Sequence, residues 1–431
     1  MRECLAVFLS LLLATNPAAG QSPAGTWRGY WTRAGDTLPV TLVLHRDTAG
    51  TGYHASFSSE RLRVRGIPFA QVRVDSCCSI SMTLRGDRTT TVFDGRFRDD
   101  SSIAGTLREG AETGSFAYSR VSEASQTWLE RDITFQNGAV RLSGTLLLPG
   151  SGRPTTGVVF LHGSGAESRW ASRFLAEQIV AAGGAALIYD KRGVGASSGN
   201  WRSATIEDLA VDGRAAVAVL AAMPEMAGVV LGIHGHSQGG TLSPMIAART
   251  PEVRFVIASA ASGVRADTAE EFSIGNSVLS RARTLQDTTN ARSFVTALVD
   301  AAYRARPRAV LDSLVNAHQG KPWYFNPPAP GDSYWTFSPL FFAFDAMAWW
   351  AQVHVPVLLL YGGADERVPA RESAARIAAA LARGGNGDIT VRVFPGADHT
   401  FRLQPGPSGW PRTAGDYLPS LLSWLTEHHR R

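Results

Sequence analysis

The stretch Gly235-His236-Ser237-Gln238-Gly239 constrains this chain more than any other. It follows an apolar run, Val229–His234, and precedes a run of helical spacing, Gln238–Arg249. A chain that leaves a strand, turns sharply at a serine and enters a helix lifts that hydroxyl clear of the sheet. The flanking glycines allow the close backbone packing this needs. In a chain with 43 glycines the pattern alone decides little. A second occurrence, Gly195-Ala196-Ser197-Ser198-Gly199, lacks the context: Lys191-Arg192-Gly193 separates it from the preceding strand, and residues 200–203 delay the next helix. Ser237 is the candidate nucleophile and Ser197 a loop residue. The same loop fails as a dinucleotide fingerprint, because Ser198 stands where the third glycine belongs.

A serine hydroxyl is a poor nucleophile until a base takes its proton. Base and acid must come from loops at the carboxyl ends of later strands, the edge onto which the serine opens. The apolar run Val355–Tyr361 leads into Gly362-Gly363-Ala364-Asp365-Glu366, and Ile389–Phe394 leads into Pro395-Gly396-Ala397-Asp398-His399. His399 is the candidate base. Glu366 and Asp398 compete with Asp365 as its acid, but Asp398 adjoins the histidine and reaches its ring poorly, so Asp365 is preferred. The order Ser, Asp, His is that of an α/β-hydrolase.

A developing oxyanion needs two backbone N–H donors. Gln238, directly after the serine and at a helix start, supplies one. The second is expected from His162-Gly163-Ser164-Gly165, after the apolar run Val158–Leu161, with Ser164 as the donor. The side chains of His162 and Ser164 are read as structural. The ten histidines show no metal-ligand spacing, so no metal and no cofactor are expected.

Around these motifs the chain changes rhythm. Residues 25–120 are short alternating runs separated by turn residues, which suggests a small antiparallel barrel or sandwich. From residue 128 strands alternate with helices. The helix at Thr205–Ala222 opens with a capping pair, Thr205 and Asp208. Such alternation requires a mostly parallel sheet flanked by helices. Residues 264–353 interrupt it and are too long for a plain loop. Their first half is helical in period and their second is rich in aromatics, from Trp323 to Trp350. An aromatic insertion between two sheet strands reads as a cap, its rings either lining a pocket or packing the cap onto the body. The expected organisation is a signal peptide at 1–20, an N-terminal β domain at 21–125 and a catalytic domain at 126–431 with its cap at 264–353.

Composition adds exclusions. The chain has 431 residues, 44% of them hydrophobic and 18% charged, enough for large packed cores. Its net charge of +5 comes from scattered arginines, Lys191 and Lys321 being the only lysines. Without a basic run, nucleic-acid binding is not indicated. Leu5–Ala14 suits the apolar core of a signal peptide and is too short to span a bilayer, and Pro17-Ala18-Ala19-Gly20 suits cleavage before Gln21. The mature protein is expected to be secreted or periplasmic, with no stable membrane insertion. Cys77 and Cys78 are adjacent and point to opposite faces of a strand, so no disulfide framework is expected.

Residues from about 128 to 430 resemble bacterial α/β-hydrolases of the serine esterase and aminopeptidase-like superfamily. The matching stretches are Asp132–Pro149, His162–Gly165, Tyr189–Gly195, Gly235–Gly240, Tyr361–Pro369 and Pro395–Phe401. Several such proteins also carry an N-terminal β domain similar to residues 25–120. The resemblance implies carboxylesterase-type hydrolysis of small or medium acyl substrates, without a cofactor. The cap matches no known pattern. A peptidase or amidase on short peptides is the rival enzyme, favoured if an acidic cap residue such as Glu270, Glu271 or Asp345 lies near Ser237. A binding protein that docks through its β domain is the rival of another class.

Overall fold

The structure is a computed structural model that describes residues 22–428, apart from 48, 49, 51, 76, 77, 86–88, 123–126, 343 and 405–408. The expected signal segment and Cys77 lie outside the described residues. The chain divides into two compact units after residue 123, with the short stretches 34–38 and 58–67 counted in the second.

Residues 25–121 form one nine-stranded antiparallel sheet. Its strands run in the order Val64–Pro68, Tyr53–Ser59, Asp36–Arg46, Gly25–Arg33, Glu112–Val121, Ser102–Glu109, Thr90–Asp99, Ser79–Arg85, Gln71–Val74. Alternating inward residues include Trp27, Trp31, Phe93 and Phe116, all buried. The Trp31 ring centre lies 4.8 Å from that of Phe57 and 4.7 Å from that of Phe93, tilted against both. Those two phenylalanines stand five strands apart, about 24 Å in a flat sheet. The sheet is therefore curled around its aromatic core, a half-barrel rather than a two-sheet sandwich. The two end strands, Val64–Pro68 and Gln71–Val74, escape the sequence reading because Gly66 and Pro68 break the first and the second is only four residues long.

The second unit carries an eight-stranded sheet. Its strands are β1 (Trp128–Asn137), β2 (Val140–Pro149), β3 (Thr156–Leu161), β4 (Ala185–Tyr189), β5 (Val230–His236), β6 (Val253–Ser259), β7 (Val357–Gly362) and β8 (Ile389–Phe394). They pair in the order β1-β2-β4-β3-β5-β6-β7-β8, antiparallel through β1, β2 and β4 and parallel from there on. Along β3, Val159 and Leu161 face one core while Val158 and Phe160 face the other, the period-two alternation of a strand buried on both sides. Helices α2 (Ile206–Ala221), α3 (Gln238–Ala248) and α9 (Ala370–Arg383) cover the first face, and α1 (Trp170–Ala181) and α10 (Tyr417–His428) the second. This is the α/β-hydrolase architecture the sequence implies. The capping box of α2 forms as expected: Asp208 N donates to Thr205 Oγ1 at 3.1 Å and Thr205 N to Asp208 Oδ2 at 2.8 Å.

Between β6 and β7 lie α4 (Ala266–Leu279), α5 (Leu285–Tyr303), α6 (Ala309–His318), α7 (Tyr334–Phe342) and the single turn α8 (Ala346–Trp350). Val278, Phe294, Leu298, Leu311 and Trp323 give this segment a buried cluster of its own. The aromatics divide between both expected roles. Trp323, Tyr324 and Phe325 pack around Phe294, whereas Phe337, Phe341 and Phe344 line a cavity.

Candidate active site

β5 ends at His236, and Ser237 follows with φ 56° and ψ −116°, directly before the first residue of α3. A left-handed serine costs about 1–3 kcal/mol and persists only where its surroundings enforce it. Here they do. Ser237 N donates to Ser259 O at the end of β6 (2.8 Å), and Thr241 N and Oγ1 both reach Ser237 O. A Cβ on Gly235 would stand 2.3 Å from the carbonyl carbon of Gly239, and one on Gly239 would stand 2.7 Å from Leu161 O. Both positions must be glycine for strand, serine turn and helix to close on one another.

Asp365 and His399 meet although 34 residues separate them. Asp365 follows β7 and His399 the turn after β8. His399 Nδ1 donates to Asp365 Oδ2 at 2.8 Å, both side chains being buried. Asp365 Oδ1 accepts the N–H groups of Arg367 (2.8 Å) and Val368 (2.9 Å). With its proton on Nδ1, His399 keeps Nε2 as a free acceptor. The two other carboxylates are engaged elsewhere. Asp398 closes its own turn by accepting from Thr400 and Arg402, and Glu366 is exposed beside Arg367.

Ser237 is tied to His399 through its neighbour. His236 Nε2 donates to His399 O at 3.1 Å, and the two rings lie 5.0 Å apart. Burial, reinforced by His399, lowers the His236 pKa to about 4, so this ring is a neutral donor at working pH. Ser237 Oγ makes no hydrogen bond among the described residues. Links of this kind are commonly long before substrate arrives.

Ser164 and Gln238 line the same cavity as Ser237, which has a volume of about 230 Å³. The Gln238 N–H belongs to the first turn of α3, where amides lack intrahelical partners and the helix dipole favours negative charge. His162, read as structural, donates from Nε2 to Tyr189 O at 2.6 Å and is buried. Phe337, Phe341 and Phe344 give the cavity an apolar wall, and Glu270 also lines it. Of the acidic candidates, Glu270 and Asp345 reach the cavity, and Glu271 turns away to Arg304 and Thr296. Burial pushes the Glu270 carboxyl above the ordinary glutamate range. Ser197 is buried in its loop, donating to Asp190 O and accepting from Ser143 N.

The sequence reading assigned no role to Lys191. It is buried, and its ammonium reaches Gly163 O, Gly165 O and the Gln238 side chain. The one trace of it in the sequence is its type, a lysine in a chain that otherwise uses arginine. Among the described residues no group of three or more His, Cys, Asp or Glu is placed to hold a metal ion.

The family model of Hydrolase_4, serine aminopeptidase S33, matches residues 152–404, more than half of the chain. The chain belongs to the Hydrolase_4 family. As a Hydrolase_4 member it is a serine hydrolase of the α/β-hydrolase class. It is also similar to a protein of Yersinia pestis provisionally named carboxymethylenebutenolidase, 40% identical over 73 residues, which are 17% of this chain and 27% of that protein. A relative of the same name from Escherichia coli O157:H7 is 34% identical over 76 residues. The match spans about a quarter of the length of these curated relatives. Among solved structures, an esterase of Pyrococcus furiosus is 19% identical, covering 72% of this chain and 96% of that one, with a TM-score of 0.46. A proline iminopeptidase of Mycobacterium smegmatis is 17% identical, covering 70% and 99%, with a TM-score of 0.45.

Proposed function

We propose that this serine hydrolase cleaves small or medium carboxylic esters through an acyl-serine intermediate, with Ser237 as nucleophile, His399 as base and Asp365 as the acid that orients it. The observation that supports this reading best is the buried hydrogen bond between Asp365 and His399 Nδ1, together with the left-handed Ser237 at a helix start. His399 Nε2 takes the Ser237 proton as Oγ attacks the ester carbonyl. The oxyanion forms against the Ser164 and Gln238 amides. The proton passes to the leaving alcohol, and His399 then activates the water that releases the acid. Asp365 stays ionised throughout and holds the imidazole in its tautomer. The aromatic wall of the cavity suits an acyl or aryl group of modest size.

A second reading, an aminopeptidase or amidase, is favoured by Glu270, an acidic cap residue lining the same cavity as Ser237. Its carboxylate suits a substrate ammonium. Hydrolysis of a short-chain aryl ester beside an aminoacyl anilide, by wild type and Ser237→Ala, separates the two. Ester turnover abolished in the variant supports the esterase. Faster anilide cleavage, lost the same way, moves the assignment to peptidase. If Ser237→Ala retains either activity, the nucleophile assignment is wrong.

A further inference from the structure

We propose that Lys191 is the positioning residue of the oxyanion hole, its ammonium fastening the 163–165 loop to Gln238 so that the Ser164 and Gln238 amides converge in front of Ser237. The proposal rests on the acyl-serine reading above.

The geometry is specific to an ammonium. Lys191 Nζ has three donors, and three acceptors meet it: Gly163 O at 2.7 Å, Gly165 O at 3.2 Å and Gln238 Oε1 at 3.0 Å. Gly163 O and the Ser164 N–H are the two ends of one peptide group. That group is planar and trans, so its C=O and N–H point in opposite directions. Holding the oxygen from behind aims the N–H forward, into the cavity that Ser164 and Ser237 share. A cationic donor on the carbonyl also polarises the amide and strengthens its N–H as a donor. The third bond ties the same charge to the residue that supplies the other amide. One side chain thus sets both halves of the hole.

The loop is prepared for this grip. Gly163 N donates to Glu167 Oε2 at 2.7 Å, and a Cβ on Gly163 would stand 2.4 Å from Glu167 Oε1. Lys191 N donates to Glu167 O at 3.2 Å. The chain has 42 Lys and Arg, of which only Lys191 and Lys321 are lysine. A planar guanidinium cannot place three donors around one point, whereas an ammonium can. The Lys191 ammonium makes no ion pair among the described residues, and its bonds are to neutral oxygens. The titratable groups around it are His162, which burial holds toward its neutral form, Glu167 on the loop, Asp212 on α2, and Asp190 and Arg192 in its own turn. The Trp201 ring lies 5.1 Å away. Burial pulls the lysine down to about 8, against Glu167 and Asp212. The sign follows: the hole is assembled below pH about 8 and loses its cation above it.

The test uses the full chain and an aryl ester between pH 6 and 10. Wild type should lose kcat above pH about 8 in a one-proton step. Lys191→Met should lower kcat about 100-fold, near the loss for one oxyanion donor, with KM within about threefold and no alkaline step. Propylammonium should restore part of the kcat of Lys191→Ala. A folded Lys191→Met with wild-type kcat, or with the alkaline step intact, overturns the proposal. If neither variant folds, Gln238→Glu decides: a carboxylate against the ammonium should move the alkaline step upward, and an unmoved step overturns the proposal. A fluorophosphonate separates the two claims. Labelling at Ser237 in wild type with an indifferent Lys191 sinks only the positioning role, and no labelling at Ser237 sinks both.

Discussion

Asp365 divides its two oxygens between two tasks: Oδ2 accepts the His399 Nδ1–H at 2.8 Å, while Oδ1 is held by the Arg367 and Val368 amides. The carboxylate is fixed by its own turn before it orients the imidazole. Asp365→Asn keeps the shape but can present an N–H to Nδ1, which favours the wrong tautomer. The expected loss in kcat is about 10³–10⁴-fold, with the circular dichroism unchanged. A variant within tenfold of wild type would remove Asp365 from the mechanism.

The glycines of the serine turn are predicted to be stability determinants. A methyl on Gly235 or Gly239 meets backbone, not a side chain that can swing aside. Gly235→Ala and Gly239→Ala should each cost about 3 kcal/mol or more in urea unfolding. Gly275, inside α4, has nothing within 4 Å of its missing Cβ. Gly275→Ala should stabilise by about 0.5–1 kcal/mol. Destabilisation there would mean that α4 is packed differently.

Arg192 and Asp212 form a buried two-bond pair, Nε to Oδ2 at 2.6 Å and Nη2 to Oδ1 at 2.8 Å, with Asn137 donating to the same carboxylate. Removing one partner strands the other charge. Asp212→Ala should cost about 3–5 kcal/mol, and the double replacement Arg192→Met with Asp212→Leu should recover much of it. A double variant no better than the single would show that the pair itself holds the loop.

Glu270 gives a pH signature. Its carboxyl is raised by burial, so its stabilising proton is present at acid pH and is lost as pH rises through the raised value. Glu270→Gln should therefore be more stable than wild type at pH 7, with the gap closing below the ordinary glutamate range. In the same variant, retained ester turnover supports the esterase reading, and selective loss of aminoacyl anilide cleavage supports the peptidase.

The cap core offers a local check. Phe294 is fully buried among Trp323, Tyr324 and Phe325. Phe294→Ala should cost about 3–5 kcal/mol, measured by thermal melting. A loss below about 1 kcal/mol would mean that this cluster closes over the cavity left behind.

Much of the second unit was legible because its signals are local. The apolar runs at Val158–Leu161 and Ile389–Phe394 marked β3 and β8, the Thr205–Asp208 pair fixed the start of α2, and Gly235 and Gly239 marked the turn at Ser237. Asp365 and His399 could be named because each follows a strand end. The two end strands of the N-terminal sheet were not legible, since four or five residues broken by Gly66 and Pro68 carry no period to read.

The sequence by itself determined the order of strands and helices around the second unit's sheet and the residue types at each strand end, because backbone periodicity and turn chemistry act over a few residues. It could not decide how the Trp323–Trp350 aromatics divide between cap core and cavity wall, whether Glu270 or Glu271 lines the cavity that Ser237 lines, or what Lys191 holds. Those answers depend on which segments the folded sheet brings within 3 Å. Lys191 bonds to residues 26 to 47 positions away. Only the closing of β3, β4 and β5 side by side puts one ammonium within reach of all three.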